Sequence, residues 1–152
     1  MEVPPTQTIN LQSERIMQLN SYLSFNGDCE AAFKFYEQAL GAKTEMLLTY
    51  GGSPMASQTP SELQNKIMHG RLSIDGQTLM GSDALCGRYE QPKGVWISLG
   101  IQDPAEAERV FAALLENGRA VMPIGETFWA HRFGMLIDQF GIPWMINCEK
   151  PA

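Results

Sequence analysis

Apolar and polar positions change period along this chain in a repeating order. Residues 18–25, QLNSYLSF, alternate with Leu19, Leu23 and Phe25 at compatible positions, as a half-buried strand requires. Ala32, Phe33, Phe35, Tyr36, Ala39 and Leu40 then recur at helical spacing. That helix is expected to start at Asp28, whose carboxylate can accept from first-turn amides, and to stop at Gly41. Strands are predicted over residues 44–50, 66–74 and 78–82, with Asp75-Gly76 as a tight turn that makes the last two a hairpin. The Gly-, Ser- and Pro-rich stretch 51–65 reads as a long loop. The unit is βαβββ.

The same grammar restarts at residues 95–101, VWISLGI, a predicted strand. Asp103-Pro104-Ala105-Glu106 combines a capping carboxylate with proline at the first helical position and Glu three residues on. Ala107, Val110, Phe111, Leu114 and Leu115 form the stripe of this second helix, which Asn117-Gly118 ends. Strands follow over residues 120–124, 133–138 and 144–148. Leu23-Ser24-Phe25 aligns with Leu99-Gly100-Ile101 and Asp28 with Asp103, about 75 positions on, so the chain reads as an internal duplication. The expected class is α+β: one domain over residues 17–152, with modules at about 17–83 and 95–149, preceded by a flexible tail over residues 1–16.

Composition narrows the function classes. Charged residues make up 18% of the 152, below the roughly 25% usual for globular domains, which predicts a sizeable apolar interior or interface. A net charge of −6 without a Lys/Arg cluster argues against nucleic acid as a partner. Cys29, Cys86 and Cys148 are odd in number and lack CxxC spacing, which fits neither a disulfide framework nor a zinc ribbon and points to a reducing cytoplasm. No apolar run approaches the ~20 residues of a membrane span.

The segments NSYLSFNGDCEAAFKFYEQALGA and ETFWAHRFGMLIDQFGIPWMIN closely resemble the PhnB-like branch of the vicinal oxygen chelate superfamily, whose members include glyoxalase, extradiol dioxygenase and bleomycin-resistance proteins. The branch also carries the name 3-demethylubiquinone-9 3-methyltransferase. The resemblance spans residues 17–148 and implies two βαβββ modules whose curved sheets form a half-barrel around a central cavity, often in a homodimer. It also implies ligand positions for a divalent cation, which here fall on Asn20 or Ser21, on Trp96, on or beside Met145, and near Met80-Gly81. These are poor donors for a catalytic cation, so no cofactor is expected, although a divalent metal held by other residues stays open.

Other residues carry candidate chemistry. His69 shares one strand face with Arg71 and Ser73, and is either solvated or cavity-lining. His131 lies in Glu126-Thr127-Phe128-Trp129-Ala130-His131, a segment the resemblance singles out, and is either a pocket residue or a structural one. Tyr22, Trp96, Phe128 and Trp129 would give an apolar ligand pocket, with Ser98 and Asn147 among its polar groups; the alternative places such rings in the core, Trp144 above all. The leading expectation is a small-molecule binding protein for an aromatic or amphipathic ligand, independent of metal at the usual site. A lyase, isomerase or dioxygenase with unusual metal ligands is the second reading, and a metal-free enzyme using His131 and Glu126 for proton transfer the third. No glycine-rich strand-to-helix turn supports a Rossmann-type methyltransferase.

Overall fold

The two predicted units appear in chain order in a computed structural model that describes residues 16–85 and 87–151. The tail expected over residues 1–16 lies, apart from Ile16, outside the described residues, as does Cys86. The first unit comprises β1 (Ser21–Phe25), α1 (Cys29–Leu40), β2 (Lys43–Thr49), β3 (Ile67–Ile74) and β4 (Gln77–Asp83). The second comprises β5 (Ile97–Gly100), α2 (Pro104–Leu115), β6 (Arg119–Gly125), β7 (Ala130–Ile137) and β8 (Pro143–Glu149). Their sheets share one topology, β1-β4-β3-β2 and β5-β8-β7-β6, with the first strand of each parallel to the last and the other pairs antiparallel. Neither sheet closes on itself, and the class is α+β as expected.

Local chemistry explains most boundaries. Asp75 and Gly76 both have positive φ (47° and 78°), the backbone of a two-residue hairpin turn, and they join β3 to β4. Gly41 ends α1 in the left-handed conformation at φ 66°. At α2, the Asp103 side chain accepts from the Ala105 amide at 3.2 Å and Pro104 takes the first helical position. The expectation for α1 is corrected: Asp28 makes no side-chain cap. Asp83, from the end of β4, instead accepts from the Cys29 amide at 2.9 Å and from the Ile67 amide at 2.8 Å, serving the first turn of α1 from another strand. The first-strand predictions were too long, since β1 and β5 end where pairing with β4 and β8 ends and Leu19 and Val95 beyond them are exposed.

Both helices pack against the inward faces of the sheets and against each other, and a single core of buried side chains joins the modules. Tyr36 of α1 crosses to the second module: its hydroxyl donates to Asp138 at 2.5 Å, and its ring meets Trp144 edge-on. Phe35 likewise meets Phe140, and Arg132 of β7 pairs with Glu108 of α2 at 2.7 Å. Trp144 is wholly buried and belongs to the core. With the helices on the inward faces, strand alternation turns the remaining side chains of each sheet outward. Among the described residues, no helix is long and apolar enough to cross a membrane.

Candidate functional site

On the first sheet, Leu23, Phe25, Leu72 and Leu79 point inward and are buried, which sends Tyr22, Ser24, His69, Arg71, Met80 and Ser82 to the outward face. Register places Ser24 beside Ser82, Tyr22 beside Met80, and Arg71 between Met80 and Met46. Tyr22 is half exposed and reaches across β4 to His69. Its hydroxyl lies 3.1 Å from His69 Nδ1, and the two rings stack with centroids 5.7 Å apart and planes 23° from parallel. Two residues expected to line a ligand site, 47 positions apart in sequence, are thereby joined.

On the second sheet, Ile146 and Cys148 point inward and are buried, so Met145, Asn147 and Glu149 face outward. His131 joins Asn147, Glu149, Gln102 and Lys150 around an open depression of roughly 700 Å³. Asn147 Nδ2 donates to Glu149 at 3.1 Å, whereas its Oδ1 is buried and has no donor among the described residues. The flanking residues Glu149 and Lys150 were not anticipated; the period-2 run from Met145 through Asn147 was the signal for Glu149, and Lys150, beyond the strand, had none.

Other expected site residues lie elsewhere. Glu126 forms an ion pair with Lys150 at 2.8 Å, which holds its carboxyl below its ordinary value, and no hydrogen bond joins it to His131 among the described residues. Phe128 is 89% exposed, with its ring edge against Trp129, which in turn covers the buried Phe133. Trp96 and Ser98 line a separate depression of roughly 550 Å³ with Asn20, Thr78 and Trp144, where the two modules adjoin.

The positions that the superfamily pattern assigns to a divalent cation do not fit one. Asn20 offers one neutral amide oxygen or Ser21 one hydroxyl, Met80 and Met145 supply thioethers, and Trp96 supplies no lone-pair donor, so the set lacks the two or three strong donors a hard or borderline cation needs. Among the described residues, no three His, Cys, Asp or Glu side chains converge on a common point.

Two unclosed four-stranded sheets with a helix in each module define a glyoxalase-like fold, and a possible glyoxalase from Bacillus cereus shares it at a TM-score of 0.57 and 15% identity, with 88% of this chain and all of that one covered. The sequence profile of the family described as 3-demethylubiquinone-9 3-methyltransferase matches residues 17–147, so the chain belongs to this family. It is 38% identical over 142 residues to protein YjdN of Escherichia coli (strain K12), covering 88% of this chain and 97% of that protein. Protein PA1353 from Pseudomonas aeruginosa has a crystal structure that matches at a TM-score of 0.80 with 47% identity, over 89% of this chain and 99% of that one. A PhnB protein from Bacillus cereus matches in fold at a TM-score of 0.73 and 20% identity, over 86% of this chain and 98% of that one.

Proposed function

We propose that this chain is a cytoplasmic small-molecule binding protein that takes an aromatic or amphipathic ligand on its outward sheet faces, without a metal at the usual superfamily position, and that a second copy closes those faces. The observation that carries the reading is Asn147 Oδ1. A buried carbonyl oxygen without a donor costs about 1–3 kcal/mol, and here it borders the depression that His131 lines, where a ligand donor would satisfy it. Exposed Met46, Met122, Trp129 and Tyr22 add apolar area of the kind that a ligand or a partner subunit covers. Buried, unpaired Cys29 and Cys148 suit a reducing compartment. Methyl transfer of the Rossmann type, the activity in the family's name, has no support here, because the strand-to-helix turn after β1 is Asn26-Gly27-Asp28 rather than a glycine-rich turn that would seat a nucleoside cofactor.

The test is tryptophan fluorescence and thermal shift against a library of aromatic and amphipathic compounds, with sedimentation velocity for the dimer. Saturable responses that Asn147→Leu abolishes are expected, in a species of twice the chain mass. A flat response across the library sinks the binding reading. Stoichiometric zinc, iron, nickel or manganese in protein purified without chelator sinks the metal-independent part and returns the choice to a metalloenzyme with ligands gathered from two chains.

A further inference from the structure

We infer that Tyr22, His69 and Arg71 form an anion receptor on the outward face of the first sheet, and that its ligand class is a planar aromatic carboxylate. The receptor lies on the first sheet, apart from the Asn147 depression of the second, so it goes beyond the site that carries the binding reading and names a second site with its own ligand charge.

Three observations carry it. First, the Tyr22 hydroxyl lies 3.1 Å from His69 Nδ1 while the rings stack, so the imidazole is held in one orientation and its Nδ1 is occupied. If Tyr22 is the donor to Nδ1, the neutral ring carries its proton on Nε2, and an N–H donor projects from the far side of the ring. Second, Arg71 lies two residues along β3 on the same face, about 7 Å away by strand geometry. It is exposed, and among the described residues no carboxylate pairs with it. A guanidinium fork with free donors beside a single N–H matches the two oxygens of a carboxylate. Third, the outward positions of β1, β3 and β4, namely Tyr22, Ser24, His69, Arg71, Ser73, Thr78, Met80 and Ser82, contain no acidic residue; on β2 the exposed Glu45 sits at the bulge beside Met46, and no ion pair joins it to Arg71 among the described residues. In a chain of net charge −6, these three strands offer one guanidinium and several hydroxyl donors with no carboxylate of their own.

The ring of the ligand follows from what flanks the charge. Met46 and Met80 lie on either side of Arg71 in register, and the thioether of methionine packs well on aromatic edges. Tyr22 contributes a half-exposed ring beside Met80. An aryl group lying over these side chains would carry its carboxylate to Arg71 and His69.

The probes are benzoate and its neutral counterparts benzamide and benzyl alcohol, titrated into the full chain and followed by amide and histidine-ring ¹⁵N chemical shifts. Benzoate is expected to shift Ser24, His69 and Arg71 saturably and to bind at least about tenfold more tightly than either neutral compound, the scale of one charge-assisted hydrogen bond. Arg71→Gln and His69→Gln should each weaken benzoate about tenfold with an unchanged melting temperature, and Arg71→Lys, which keeps the charge but loses the fork, should fall between wild type and Arg71→Gln. Tyr22→Phe should move the Nδ1 resonance of His69 away from its hydrogen-bonded position. Equal binding of benzoate and benzamide overturns the inference while leaving the small-molecule reading in place, as does benzoate binding that Arg71→Gln does not affect. Absence of binding by all three probes together with a flat library response overturns both.

Discussion

Asp83 and Asp28 stand near the same helix end with opposite roles. Asp83 is 2% exposed and accepts from the amides of Cys29 and Ile67, so both its oxygens are used. Asp83→Asn keeps one acceptor and turns an amino group on the other amide, and a loss of about 1–3 kcal/mol in urea unfolding is expected. Asp28 has a buried Oδ1 without a donor among the described residues, and burial pushes its carboxyl up from the ordinary value. Asp28→Asn should therefore cost less than Asp83→Asn; the reverse order in urea midpoints would show the cap to be assigned wrongly. The same corner controls Cys29. Burial, helped by the nearby Asp83 and Asp28, pushes its thiol far above the ordinary range, and Cys148 is buried with its thiol donating to the Gln102 carbonyl at 3.3 Å. Neither thiol should react with a maleimide in the native protein at neutral pH, and both should react in denaturant. Mass mapping of the labelled peptides checks this, and native labelling of Cys29 is the adverse result.

At the scale of elements, each helix lowers an aromatic ring onto a glycine of its module's third strand. A Cβ at Gly134 would lie 2.7 Å from Phe111 Cε2 and 3.0 Å from the Ile124 backbone; at Gly70 it would meet only side chains, those of Phe33 and Leu47. Backbone cannot yield as a side chain can, so Gly134→Ala is expected to cost about 1–3 kcal/mol and Gly70→Ala less. Denaturant midpoints of the two variants decide it, and equal losses would mean that β6 shifts as easily as a side chain. A glycine inside a strand pattern signals close approach, but the approaching ring belongs to another element and is not written beside it.

The whole molecule depends on contacts between modules, and Asp138 is at their centre. Its carboxylate accepts from the Tyr36 hydroxyl of α1, from Trp144 Nε1 at 2.9 Å, and from the amides of Phe140 and Ile142. Burial nonetheless pushes the carboxyl up, outweighing the downward pull of those donors. A carboxyl raised in the folded state contributes stability that is full below its unfolded value, about 4, and is lost as pH rises through the folded value. Asp138→Asn should therefore flatten the fall in stability from pH about 4 upward, with part of the slope left because Asp28 is raised for the same reason. Urea unfolding at several pH values measures the slope, and a variant slope as steep as wild type would exclude Asp138 as its source.

What the sequence determined by itself is what short-range physics writes into neighbouring residues. Strand and helix periods, the Asp103-Pro104 start of α2, the Asp75-Gly76 turn and the duplicated order of elements all depend on residues within a few positions of one another. The alternation of His69, Arg71 and Ser73 likewise identified a polar face, without saying what that face meets. Tertiary structure decided the rest: that Asp83 rather than Asp28 serves the start of α1, that Tyr22 stacks on His69, that Glu126 pairs with Lys150, and that Asn147 joins His131 around a depression. Each of these contacts joins separate elements, so strand register and the packing of helices against sheets set them, and no local pattern encodes either.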